Sequence, residues 1–264
     1  MNKLILGRFI PENSFIHRLD PRTKFVGSFY FIFILFLANN WQSYSLACAF
    51  ILIAILFSKI NPSFFLKGIR PLIVLILFTV ILQIFFTSGG KVFWSLGPLR
   101  LTSYGLTNGV FIFTRFVLII LISTLMTLTT SPLSMSDAVE SLLRPLRIFH
   151  FPVHEVSLML SIALRFVPTL MDETEKIMNA QKARGVEFNE GSLLKRIKAI
   201  IPILIPLFVN SFKRADELAT AMEARGYQGG EGRTRYRELT WHTRDTLSSL
   251  TLVALTIVLW LTRK

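Results

Sequence analysis

One tripeptide occurs twice in this chain, as Ala183-Arg184-Gly185 and as Ala224-Arg225-Gly226, with the two arginines 41 positions apart. The copies agree upstream as well, since Ala180 and Ala221 each lie four residues before the arginine. A charged stretch precedes both, Asp172-Glu173-Thr174-Glu175-Lys176 in the first and Lys213-Arg214-Ala215-Asp216-Glu217 in the second. The chemistry on offer is recognition, not bond-making. A guanidinium presents five donors in a fixed fork that fits carboxylates and carbonyls, and the small alanine beside it lets a partner come close. The glycine supplies the left-handed residue that closes a helix, and arginine in the last turn suits the negative end of the helix dipole. One copy alone reads as a well-capped helix, and its acidic neighbours as a solvated helix face. Two copies at the ends of two long helices read as two plugs for two similar sockets.

Other chemistry is thinly represented. Gly89-Gly90-Lys91 lacks the earlier glycine and the hydroxyl residue of a phosphate-binding loop, so ATP binding by that route is not expected. His150 and His154 are four apart, but Pro152 between them argues against a helical metal pair. The apolar runs hold no acidic residues of the kind a membrane phosphotransferase needs for magnesium. The chain therefore reads as non-catalytic and without a cofactor of its own. A self-sufficient secondary transporter or channel with a cytoplasmic helical domain is the alternative. It would need polar residues along a path through the apolar runs, and it would leave the duplicated arginines without a use.

The elements that must carry these tips follow from composition. The chain has 264 residues, 52% of them hydrophobic and only 17% charged, which is membrane composition. The single cysteine, Cys48, lies in an apolar run, so no disulfide framework exists. The first twenty-odd residues mix charge and proline, and no cleavable signal is expected. Net charge is +13, spread unevenly: residues 131–245 hold 16 basic and 14 acidic residues, and the rest hold 13 and 2. The excess flanks the membrane segments, where it sets orientation; no nucleic acid is implied.

Apolar runs cover Phe25 to Ala38, Ser43 to Phe57, Pro71 to Phe86, a stretch from Tyr104 to Thr130, and Leu247 to Leu261. Each fits a span of a roughly 30 Å hydrocarbon core once flanks are counted. Lysine and arginine are densest before the first run and between the second and third, which predicts a cytoplasmic N-terminus and an external C-terminus. Arg115 lies inside the fourth run and is expected to snorkel toward the outer interface. After Ser131 the character changes. A short helix capped by Asp137, with an apolar face at Leu142, Leu143 and Leu146, is followed by two helices over about Val153–Ala183 and Ser192–Ala224. At about 31 residues each, these would reach roughly 46 Å. Both are apolar first and amphipathic later, and Pro168, Pro202 and Pro206 are expected to kink them. The organisation predicted is an all-α polytopic membrane protein with about five transmembrane helices. Residues 1–133 form a leader and four spans, 134–245 a cytoplasmic domain of three helices, two of them long, and 246–264 a last span.

Taken together, these features resemble the T component, the transmembrane scaffold, of energy-coupling-factor transporters, and the likeness covers most of the chain. Ser14-Phe15-Ile16-His17-Arg18-Leu19-Asp20-Pro21-Arg22-Thr23-Lys24 is similar to the family's N-terminal signature. Leu164-Arg165-Phe166-Val167-Pro168-Thr169-Leu170 with Glu173 resembles the start of its second coupling helix, and the two Ala-Arg-Gly copies resemble its paired X-Arg-X motifs.

The resemblance implies a subunit in a bacterial cell membrane that carries no ATP or magnesium itself. Two ABC-type ATPase subunits, which bind both, would each take one arginine through Ala183, Arg184 and Gly185 or through Ala224, Arg225 and Gly226. A small membrane protein, the substrate-binding S component, would rest on the apolar halves of the same helices. Ser157, Ser161, Ala163, Pro168, Ala199, Pro202 and Pro206 are the candidate contacts, since small residues permit close helix approach in lipid. The implied activity is ATP-driven import of vitamins or other micronutrients.

Overall fold

The computed structural model describes residues 9–96, 99–149, 152–188, 192–229 and 239–262. In chain order the elements are α1 (Pro21–Ile34), a 3-10 turn at Leu35–Leu37, α2 (Trp41–Ser58), α3 (Pro62–Ile69) and α4 (Ile73–Phe86). An antiparallel hairpin follows, β1 (Val92–Leu96) with β2 (Leu99–Thr102). Then come α5 (Ser103–Thr129), α6 (Pro132–Leu143), a 3-10 stretch at Arg144–Phe149, α7 (Val153–Ala183), α8 (Leu193–Ala224) and α9 (Thr243–Leu261). The chain divides into two compact units, Met1–Leu142 with Leu239–Lys264, and Leu143–Glu238.

Among the described residues three helices, α2, α5 and α9, are long and apolar enough to cross a membrane. The pair α3–α4, bent by 59° at its break, makes a fourth candidate span. The expected first span is α1 with its 3-10 turn, 14 plus three residues, which falls short of that length. Between the third and fourth apolar runs, where no element was expected, lies the hairpin. Val92 and Trp94 both fit a strand, but the run between α4 and α5 is too short for periodicity to reveal it.

The first unit is held by an apolar core in which Phe31 and Ile34 of α1, Ala47 and Ile51 of α2, Leu118, Ile122 and Leu125 of α5, and Leu252, Leu255 and Leu259 of α9 are buried together. Gly105 and Gly109 bring α5 onto α4. A Cβ at either would stand 2.6 Å from an atom of Ile84, closer than any side chain allows. Arg115 is half-buried. It donates to the Ala38 carbonyl (3.3 Å) at the end of the 3-10 turn and stacks its charge on Phe36 (5.1 Å) and Tyr44 (5.9 Å).

The N-terminal signature forms a polar joint. Asp20 caps α1 by accepting from the Arg22 amide (2.8 Å), with Pro21 at the first helical position. Asp245, fully buried in the first turn of α9, accepts from the Asp20 amide (2.7 Å) and the His242 amide (2.9 Å). One carboxylate thereby serves the N-termini of two helices, where the dipole favours it. Lys24 reaches the other way and donates to the Thr129 carbonyl at the C-terminal end of α5 (2.8 Å). Arg22 donates to the Leu239 carbonyl (3.2 Å).

The start of α6 differs from the expectation. Ser131 accepts from the Ser134 amide (3.2 Å), so the helix begins at Pro132 and Asp137 lies inside it. Its buried residues are the small Ser134, Ser136 and Ala138, while Leu142 is exposed and Leu143 half-buried. Contacts accordingly group α6 with the first unit, and α7 and α8 form the second.

Candidate functional site

The two arginines end their helices in the same geometry. Arg184 is the C-cap residue that follows α7, with φ −85° and ψ 5°, and Arg225 that of α8, with φ −88° and ψ 8°. Gly185 (φ +85°) and Gly226 (φ +73°) then turn the chain left-handed. The Gly185 amide donates to the Lys182 carbonyl (3.0 Å) and the Val186 amide to that of Gln181 (3.0 Å). At the second tip Gly226 donates to Glu223 (2.9 Å) and Tyr227 to Met222 (3.0 Å). Both are Schellman closures, satisfying the last carbonyls within the backbone. The arginine side chains are therefore not needed as caps. All six tripeptide residues are exposed. Among the described residues neither guanidinium has a hydrogen-bond or ion-pair partner.

Midway along the helices a pairing appears that sequence reasoning missed. Arg214 of α8 donates to the Glu173 carboxylate of α7 and lies over the Phe166 ring (5.7 Å). Glu173 and Arg214 are also 41 positions apart, the same offset as the arginines. The signal lay in the two charged stretches, which carry opposite signs at three equivalent places (172/213, 173/214 and 176/217) and had read as solvated faces. The pair is part-buried, and Glu173 Oε2 and Arg214 Nη1 make no hydrogen bond. Beside it lies an apolar groove of about 250 Å³, walled by Ile162 and Leu170 of α7 and by Leu218 and Met222 of α8.

Of the small residues singled out for a membrane partner, Ala163 and Pro168 are exposed. Ser161, Ala199, Pro202 and Pro206 are half-buried, and Ser157 is buried. The prolines sit inside α7 and α8 without breaking either helix. The greater exposed surface is made of large side chains that reasoning from small residues passed over. Leu194, Ile197, Ile201, Leu204, Phe208 and Phe212 stand out along α8, each 46% exposed or more, at spacings of three and four. Met159, Val167 and Met171 do the same on α7. That spacing is one helix face, legible in the sequence once large residues are counted. Neither helix is among the candidate spans. His150, Lys3, Arg8, the basic run Arg233 to Arg237 and the terminal Arg263-Lys264 lie outside the described residues. Among the described residues no group of His, Cys, Asp or Glu side chains is arranged to hold a metal ion.

Comparison with known proteins shows the family. The CbiQ family, described as Cobalt transport protein, matches residues 12–236. The energy-coupling factor transporter transmembrane protein EcfT of Lacticaseibacillus paracasei is 61% identical over 263 residues, spanning 100% of both chains. The EcfT of Streptococcus equi is 60% identical over 260 residues, 98% of this chain and 97% of that one. The EcfT of Streptococcus thermophilus is 58% identical, covering 98% of each. With duplicated arginine tips, apolar spans and likeness over its full length, the chain belongs to the CbiQ family of energy-coupling-factor transporter transmembrane proteins.

Proposed function

We propose that this multi-pass membrane protein is the scaffold and energy-coupling subunit of an ATP-driven importer of vitamins or other micronutrients. The observation that carries the reading is the pair of identical, exposed arginine tips whose forks have no partner among the described residues. Each fork would enter a groove on one of two ABC-type ATPase subunits, which bind the ATP and magnesium. A buried, bidentate arginine contact suits this task because its charge never switches off and its plane fixes orientation. The large apolar face of α7 and α8 would carry the S component, since an exposed stripe of that size calls for a cover. Closure of the ATPases would move the two tips together and shift the S component resting on that face. The N-terminus and residues 134–245 would lie on the cytoplasmic side, from the crowding of lysine and arginine before α1 and between α2 and α4.

Purification of the intact chain from the cell membrane tests this. The expected result is an assembly with two ATPase chains and one small membrane protein, with uptake that requires ATP. Transport by the chain alone in vesicles, without ATP, would replace this reading with that of a secondary transporter.

A further inference from the structure

The strand hairpin between α4 and α5 is not accounted for by energy coupling. Helix α4 has 14 residues, or about 21 Å, against a hydrocarbon core of about 30 Å. Helix α3 turns away by 59° and does not extend it along its axis. The chain leaving Phe86 must therefore complete the crossing or stay near the acyl–headgroup boundary. Pairing in β1–β2 satisfies only the facing backbone groups, and the open outer edges of the two strands need water or headgroups, which suits the boundary and not the hydrocarbon. The base of the hairpin is fixed. Thr102, 1% exposed, donates to the Thr87 carbonyl (3.0 Å) and accepts from the Gly105 amide (2.9 Å). The Ser103 amide donates to the Lys91 carbonyl (3.0 Å).

The hairpin exposes Val92, Phe93 and Trp94, with Phe86 exposed on one side of it and Tyr104 on the other. Lys91 and Arg100 are exposed beside them. We propose that this hairpin is a membrane-surface anchor, its aromatic side chains seated at the acyl–headgroup boundary and its two cations turned to lipid phosphates. Aromatic rings favour that depth, and long basic side chains reach headgroups from it. A lipid surface is chosen over a protein partner because the patch continues the exposed flank of α4, where Phe78, Ile81 and Leu82 already face outward. The inference needs only that α4 and α5 cross the bilayer, and it stands or falls apart from the import reading.

The test uses the full chain in phosphatidylcholine vesicles with Trp41→Phe, Trp241→Phe and Trp260→Phe, which leaves Trp94 as the reporter. Blue-shifted emission is expected, with most of it quenched by lipids brominated near the headgroup, less by lipids brominated near the tail end, and little by aqueous acrylamide. Emission open to acrylamide and indifferent to both bromolipids would overturn the proposal. So would shielding that appears only when another membrane protein is added. To guard against misfolding of the triple variant, an environment-sensitive dye on Phe93→Cys in a Cys48→Ala background repeats the measurement with every tryptophan in place. The same two outcomes decide it.

Discussion

The two units use the same residue types in opposite ways. In the first unit Arg22, Lys24 and Arg115 are spent internally, each donating to a backbone carbonyl of a distant element, while Lys91 and Arg100 stay exposed on the hairpin. In the second, Arg184 and Arg225 are exposed and unpartnered among the described residues, and Arg214 alone is paired across the helices. Apolar side chains divide likewise. The first unit buries a shared core, whereas among the described residues of the second unit Ile203 is the one buried large apolar side chain. So small a core beside so much exposed apolar surface is what the proposed partner docking would require of the second unit. The difference separates a unit that buries its apolar side chains from one that leaves them exposed.

The sharpest break of that contrast is removal of the free forks. Truncating an interface arginine typically costs about 2–4 kcal/mol, or roughly 30- to 1000-fold in affinity. Arg184→Ala or Arg225→Ala should therefore weaken ATPase binding in a pull-down, and the double variant should abolish binding and uptake together. Lysine at either position should rescue only in part, since it keeps the charge and loses the plane. ATPase recovery at wild-type yield by the double alanine variant would sink the docking role. On the self-satisfied side, Asp245→Ala strands the buried Asp20 amide, at about 1–3 kcal/mol, and frees the part-buried His242 amide. It should lower the thermal midpoint of the detergent-solubilised chain clearly, and an unchanged midpoint would refute the polar joint.

Smaller effects sharpen the comparison. Arg214→Ala should loosen α7 against α8, and the exchange Glu173→Arg with Arg214→Glu should recover part of the loss. The pair is partly solvated, so a coupling of only about 1 kcal/mol is expected in a double-mutant cycle. A coupling of zero would mean that the helices are held by the groove alone. An effect of similar size is expected of Gly185→Ala. A Cβ there meets nothing within 4 Å, so the cost is confined to the left-handed backbone, about 1–2 kcal/mol. Gly185→Asn should cost less than alanine, because asparagine tolerates that region. Equal stability of all three would show that the cap does not aim the tip.

Helix α7, α8 and both glycine caps were legible in the sequence because their causes are local: a periodic run, a serine at Ser192 to open α8, and a glycine after the last turn. Membrane character likewise follows from composition, since apolar runs of that length have few other homes. What lies between distant residues was not legible. Nothing around Asp245 announces that it caps α1 as well as α9 across 225 positions, and Glu173 could have faced water as easily as Arg214. Helix α6 buries its small residues, although its leucines promised the opposite, because what is covered depends on the surface it meets. Local sequence sets which elements form and where they end. Which side chains are consumed inside, and which are left free for a partner, is set only when those elements pack, since a donor is satisfied or stranded by whatever stands opposite it.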